Sequence, residues 1–312
     1  MSARVVFFGT PDFAVPSLDA LARLAESGAI DLIAVATQPD RRGDRGRLSV
    51  PPVKARALAL GVPVLQPARL GRDAVEEIVR HRPDALVWVA YGNLIPAALI
   101  DAARKRAVNV HASLLPRWRG AAPVARAILA GDRETGITLM EGTPTLDAGP
   151  ILSQERTQIA PDETAGELTA RLAALGARTL ERDLGRYLRG ELRGRQQNEE
   201  HATVAPKLTT ADGLIDWTRP ADEIARRVRA MSPQPGAHTT IKGQRLVIVR
   251  ATVAGGTPEQ NGTVRVREGM PHVAAGAGWV RLDEVRPAGK RTMPGADWAR
   301  GARDLESSRV PS

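Results

Sequence analysis

The first half of the chain alternates short apolar runs with helical patterns, and no other feature limits the fold as strongly. Val5–Phe8 reads as a strand, and Leu18, Leu21 and Leu24 mark one face of the helix that follows it. Leu32–Ala36 is the next strand, Glu76–Arg82 a helix, and Ala85–Ala90 a further buried strand. Val108–His111 comes next, with a helix near Pro123–Ala130. Strands without polar alternation, separated by helices, form a parallel sheet covered on both faces. The class is α/β, a Rossmann-like doubly wound sheet whose ligands sit beyond the C-terminal ends of the strands. Thr164–Leu188 continues as a long helical pattern, with Leu168, Leu172 and Leu175 on one side.

The character changes at Gly194–Pro206, where "GRQQNEEHATVAP" is polar and aperiodic and reads as a linker. Beyond it, Ala221–Met231 places Ile224, Val228 and Met231 at helical spacing. Short runs then follow at Arg245–Val249, Thr263–Val266, His272–Ala275 and Trp279–Leu282, separated by glycines. Short strands with turn signals suggest a small barrel. The expected division is 1–193 for the large domain, 194–206 for the linker and 207–312 for the barrel.

The chain contains no cysteine, which excludes disulfides, thiolate metal sites and a cysteine nucleophile, and suits a reducing cytoplasm. No apolar run reaches transmembrane length, and the N-terminus has no signal pattern. No cluster of ligand residues points to a metal. The formal net charge is +9, which favours an anionic partner or reflects an arginine-rich composition. From Val204 onward there are 17 basic and 11 acidic residues, against 27 and 24 before it. The smaller domain is therefore the more basic, as a polyanion-holding domain would be.

Three stretches carry chemistry. "FFGTPDFA" (Phe7–Ala14) is a strand, a glycine turn and a helix start, but it lacks the full dinucleotide fingerprint, so Gly9 alone implies a tight turn. Gln38–Lys54 is a long loop with Arg41, Arg42, Arg45, Arg47 and Lys54, which is either a solvated loop or a set of phosphate contacts. In "NVHASLLPRWRG" (109–120), Asn109 and His111 lie two residues apart on a strand and face the same way. An amide and an imidazole together can hold a developing oxyanion, and Asp147 in "TPTLDAGPIL" can orient the imidazole or relay a proton. Spacing alone leaves open that His111 is a structural residue at a strand end.

The ordered elements Asn-x-His-x-Ser-Leu-Leu-Pro-x-Trp-x-Gly and, downstream, Leu146-Asp147-Ala148-Gly149 resemble the formyltetrahydrofolate-dependent formyltransferases. "GTPDFA", "TQPDR" (Thr37–Arg41), "AYG" (Ala90–Gly92) and "PRWRGAAP" (Pro116–Pro123) resemble the branch that acts on methionyl initiator tRNA. "KLTTADGLIDW" (Lys207–Trp217), "RAMSPQPGA" (Arg229–Ala237) and "RPAGKRTM" (Arg286–Met293) extend the resemblance through the small domain. It implies a C-terminal barrel related to the OB-fold. It also implies transfer of a formyl group from 10-formyltetrahydrofolate to the amine of methionyl initiator tRNA, without a metal. By resemblance, Asn109, His111 and Asp147 are catalytic. Ser113, Leu114, Leu115 and Pro116 line the folate site, together with Tyr91, Gly92, Leu94 and Ile95. Arg41, Arg42, Arg45, Arg47, Lys207 and Lys290 are the implied tRNA contacts. The chain is expected to be a cytoplasmic monomer with no membrane partner.

Two positions depart from the family pattern. Arg42-Gly43-Asp44 stands where the family has Pro-Ala-Gly, and Gln234 stands where it has Trp. Three rival readings remain. A formyltransferase acting on glycinamide ribonucleotide or an amino sugar would not need the arginine loop. A nicotinamide-dependent oxidoreductase should show the missing glycine fingerprint. A non-catalytic RNA-binding protein gives Asn109, His111 and Asp147 no reason to occur together.

Overall fold

The computed structural model describes residues 2–42, 48–103, 106–302, 305 and 308–311. The chain forms two compact units. The first comprises Met1–Pro123, Glu134–Gln158 and Thr169–Ala205; the second comprises Val124–Arg133, Ile159–Leu168 and Pro206–Ser312.

The first unit is built on a seven-stranded sheet. Its strands are β1 (Ala3–Gly9), β2 (Ile30–Ala36), β3 (Val64–Leu65), β4 (Ala85–Val89), β5 (Ala107–His111), β6 (Glu134–Glu141) and β7 (Ile151–Gln158), in the order β7-β6-β5-β4-β1-β2-β3. Strands β3, β2, β1, β4 and β5 run parallel, as the alternating pattern predicts. Strand β6 runs antiparallel to both of its neighbours, β5 and β7, and so adds an antiparallel edge to the parallel sheet. Between β6 and β7 the connection, residues 142–150, is too short for the helical crossover a parallel pair requires. Both faces of β1 are covered, so Val5, Val6, Phe7 and Phe8 are all buried. Val6 and Phe8 pack with Leu86, Tyr91, Leu99 and Ile78 in one core cluster.

The chain winds outward from β1 through β2 to β3, then returns to the other side of β1 for β4 and β5. The strand order therefore reverses between β1 and β4, where a doubly wound sheet opens a crevice at its C-terminal edge. Thr10, just after β1, donates its hydroxyl to the carbonyl oxygen of Tyr91, just after β4, at 2.8 Å. This bond ties the two loops that flank the crevice.

Helix α1 (Val15–Glu26) carries Pro16 in its first turn, where the missing amide is of no consequence, and buries Leu18 and Leu21. The loop expected over Gln38–Lys54 is partly ordered into elements. Arg41–Arg42 pairs antiparallel with Leu48–Ser49, and helix α2 (Pro52–Ala59) already includes Lys54. Lys54 Nζ reaches both carboxylate oxygens of Asp40, at 2.9 and 2.7 Å, so this cation is paired within the fold. Helix α3 spans Arg72–Arg80, starting four residues before and ending two residues before the expected Glu76–Arg82, and Arg82 beyond it has φ +50°. The antiparallel C-terminal unit carries strands β8 (Ala237–Ile241), β9 (Gln244–Ala254), β10 (Val264–Arg267), β11 (Met270–Ala274), β12 (Trp279–Pro287) and β13 (Met293–Pro294). The pairing path is β8-β9-β12-β11-β10, with β13 beside β12. This is the C-terminal β domain that short glycine-separated strands imply. The helix Ala221–Met231 buries Ile224, Val228 and Met231, the expected face. Among the described residues, no helix is long and apolar enough to cross a membrane.

Candidate active site

Strand β5 ends at His111, and its register sets Asn109 and His111 opposite Met140 and Thr138 of β6. Both side chains are buried, as is that of Asp147 in the β6–β7 connection. Asn109 Nδ2 donates to Asp147 Oδ1 at 3.1 Å. His111 Nδ1 lies 3.6 Å from Asp147 Oδ2, and the same oxygen accepts the backbone N–H of Gly120 at 2.8 Å. The three residues picked out by motif thus meet around one carboxylate, although 36 positions separate His111 from Asp147.

The imidazole is held from its other side as well. His111 Nε2 lies 2.9 Å from the carbonyl oxygen of Trp118, an atom that can only accept, so Nε2 carries the proton. Both ring nitrogens therefore face acceptors. The two contacts, one at each nitrogen, fix the orientation of the ring. Asn109 uses one N–H on Asp147 and has a second to offer.

Strain accumulates here. Asp147 and Trp118 are non-glycine residues in left-handed conformations, with φ +47° and +64°, and Gly120 has φ +116°. A Cβ at Gly120 would stand 2.8 Å from the carbonyl oxygen of Ala205, so glycine is required. The segment 116–122 also runs beside 203–205. Arg119–Gly120 pairs in parallel with Val204–Ala205, and Trp118 N–H donates to Thr203 Oγ1 at 2.9 Å. The stretch that reads as a linker is therefore pinned to the 116–122 loop at its C-terminal end.

The residues expected to line the folate site occupy two loops after neighbouring parallel strands, β4 and β5. Their exposure differs. Leu94 is 64% exposed, whereas Tyr91, Ile95 and Leu115 are buried. Leu115 packs with Met140 and Ile151. Its N–H donates to Thr138 Oγ1, and Gln154 Nε2 donates to its carbonyl oxygen, so the Ser113–Pro116 turn is held rigidly over the sheet. Ser113 Oγ donates to Arg117 O at 2.6 Å. Burial pushes the Tyr91 phenol up to about 12, which keeps it neutral. In the loop after β2, Thr37 Oγ1 and Gln38 Nε2 are buried and meet no hydrogen-bond partner among the described residues. Orphaned polar atoms at the crevice are what a polar ligand there would satisfy.

The expected tRNA contacts are dispersed. Arg41 is exposed in a two-residue strand with Arg42, while Arg45 and Arg47 lie outside the described residues. Lys207 is exposed. Lys290 shares a cleft of the C-terminal unit with Arg245 and Arg286, walled by Val247 and Pro287. Arg245 lies outside every motif, and Arg286 opens the "RPAGKRTM" segment without being among the expected contacts; the signal for both is the basic excess of the small domain.

Comparison with known proteins places this geometry. Residues 3–184 match the formyl transferase family model, and residues 207–303 match the model for the formyl transferase C-terminal domain. A methionyl-tRNA formyltransferase of Halorhodospira halophila is 46% identical over 306 residues, covering 97% of both chains. That of Myxococcus xanthus is 44% identical over 300 residues, covering 96% of this chain and 95% of its own. The chain belongs to the methionyl-tRNA formyltransferase family. Among solved structures, the sugar 3N-formyl transferase WlaRD aligns over 93% of this chain and 100% of its own, with a TM-score of 0.69 and 16% identity. HypX from Aquifex aeolicus aligns over 96% of this chain and 47% of its own, with a TM-score of 0.65 and 18% identity. These two show that formyltransferases and their structural relatives share the fold. The membership also accounts for the run of motifs from Gly9 to Met293.

Proposed function

We propose that this chain transfers the formyl group of 10-formyltetrahydrofolate to the free amine of methionine carried by initiator tRNA, in support of translation initiation in the cytoplasm. The observation that carries this reading is the convergence of Asn109, His111 and the Gly120 amide on the buried Asp147 carboxylate, in a chain 46% identical to a methionyl-tRNA formyltransferase. A small-amine acceptor has support only from structures of 16–25% identity.

The formyl donor, when bound, supplies a carbonyl carbon open to attack by an amine. HypX was solved with tetrahydrofolic acid, and WlaRD in the presence of a formyl-tetrahydrofolate. Gln38 Nε2, unsatisfied in a side chain that lies beside Gly92, and the exposed face of Leu94 fit a partly polar, partly apolar ligand. Asn109 presents its second N–H to the oxygen that gains charge. His111 presents Nε2–H to the same oxygen by exchanging its bond with Trp118 O. Asp147 takes part in removing the proton from the attacking amine; as the amine–formyl bond is completed, the bond from the formyl carbon to the folate nitrogen breaks, and that nitrogen leaves with the proton. Oxyanion donors of this kind are worth about 3–4 kcal/mol each.

The division of labour follows the sequence reading: 1–193 catalytic, 194–206 connecting, 207–312 holding tRNA. Arg41, Arg42, Arg45 and Arg47 approach the acceptor stem, and Lys207 and Lys290 contact backbone phosphates. The protein works as a monomer. The test is transfer of labelled formyl to methionyl initiator tRNA by the wild type and by His111→Ala. The wild type should formylate, and His111→Ala should be slower by at least about two orders of magnitude with tRNA binding kept. A variant within threefold of wild type would remove His111 from the mechanism.

A further inference from the structure

Gln197 sits in the polar stretch between the two matched family regions, flanked by the exposed Gln196 and Asn198, yet it is itself buried. Its amide uses its whole hydrogen-bonding capacity. Nε2 donates to the carbonyl oxygens of Asp147, at 2.9 Å, and Gly149, at 2.8 Å. Oε1 accepts from Arg119 Nε at 3.1 Å and from Arg119 Nη2 at 2.8 Å. Two donors and two lone pairs are all that a primary amide has. The orientation has no alternative, because carbonyl oxygens only accept and a guanidinium only donates.

The four bonds join the two loops that build the site. Asp147 and Gly149 belong to the β6–β7 connection. Arg119 lies between Trp118, whose carbonyl oxygen holds His111, and Gly120, whose amide holds Asp147. Arg119 is in turn anchored by Glu199, two residues beyond Gln197, through Nη1 at 2.9 Å and Nη2 at 2.7 Å. The strap continues on both sides. Arg195 exchanges backbone bonds with Ile151 at 2.7 and 2.8 Å, and Arg119 N–H donates to Thr203 O at 2.8 Å.

We infer that Gln197 is a positioning residue for Asp147, and that 195–205 is a strap which sets the distance between the two catalytic loops. Asp147 needs such a device. Its left-handed backbone persists only where the surroundings over-determine it, and Gln197 grips that residue's own carbonyl. The carboxylate must meet Asn109 and Gly120 together, and a misplacement of about 1 Å can cost about a hundredfold in rate. Gln197 touches no reacting atom, so its effect passes through Asp147. This inference rests on the reaction proposed above for the same site.

The test uses the full chain with Gln197→Met, which keeps length and loses the amide, and Gln197→Glu, which keeps the acceptor for Arg119 and loses both donors. Each should lower kcat by about tenfold or more, with the KM for both substrates within twofold. In an Asp147→Ala background the same changes should cost nothing further, because there is no carboxylate left to place. Without any substrate, hydrogen exchange at the Gly120 amide should be faster in both variants than in wild type. Unchanged kcat, an equal loss in the Asp147→Ala background, or unchanged Gly120 exchange would overturn the inference. A wild type that formylates no methionyl-tRNA would instead remove the proposed reaction, and the Gly120 measurement would still decide the role of the strap.

Discussion

The Gly120 amide donates to Asp147 Oδ2 at 2.8 Å, from a residue whose φ of +116° and crowded α-carbon admit no side chain. The glycine that closes the Asn109–Gly120 motif is thus one of the groups that place the Asp147 carboxylate. Gly120→Ala would set a methyl group 2.8 Å from Ala205 O and strain the backbone by about 1–3 kcal/mol. We expect a lower melting temperature and a kcat reduced by about tenfold or more, checked by thermal denaturation and steady-state formylation.

Asp147→Asn should be as severe as loss of His111. The carboxylate accepts from both Asn109 and Gly120, one on each oxygen. An amide has only one acceptor, so an NH2 would face one of these donors, and the negative charge beside the imidazole disappears. Single-turnover formylation should fall by about two orders of magnitude or more.

The two loops proposed to line the folate site separate into packed and exposed residues. Leu115 is 3% exposed among Met140 and Ile151, so Leu115→Ala should cost about 2–5 kcal/mol of stability by leaving a cavity. Leu94, 64% exposed, should behave oppositely. Leu94→Ala should change stability by less than about 0.5 kcal/mol while raising the KM for the folate. Urea denaturation and substrate titrations distinguish the two.

Stability should depend on pH through Glu167. Its carboxylate accepts the Thr164 N–H at 2.9 Å and the Thr164 hydroxyl at 2.7 Å, and it pairs with Arg250. Thr164 Oγ1 in return accepts the Glu167 N–H, which completes a capping box at the start of the long helix Ala165–Leu188. These bonds hold the carboxyl down to about 2, from an ordinary value of 4.5. A depressed carboxylate contributes fully above its ordinary value and loses that contribution as pH falls through its folded value. Glu167→Ala should therefore be less stable by about 1 kcal/mol at pH 7. The gap should close between pH 4.5 and about 2, as read by denaturant midpoints at several pH values.

The basic cleft of the C-terminal unit should act on tRNA by charge. Arg245→Ala, Arg286→Ala and Lys290→Ala should each weaken tRNA binding modestly and leave folate binding unchanged. Each should flatten the dependence of log K on log salt by about one unit per lost phosphate contact. Binding titrations across a salt series provide the measurement.

Sequence by itself determined the elements whose signal is local. Val5–Phe8 and Ala85–Val89 read as buried strands because both faces of the sheet are covered, and Ala221–Met231 reads as a helix because its apolar residues recur once per turn. Asn109, His111 and Asp147 were legible because their residue types and motif survive without coordinates. The reversal of β6 against β5 was not legible, since the 112–133 connection carries a helix and is long enough for either strand direction. Nor was the role of Gln197. A polar residue among polar neighbours carries no periodic signal, and its burial arises only when the 116–122 and 142–150 loops fold against it. Tertiary structure alone decided that Leu115 packs inward while Leu94 faces solvent, because neighbouring strands, not residue type, set which side of a turn is covered.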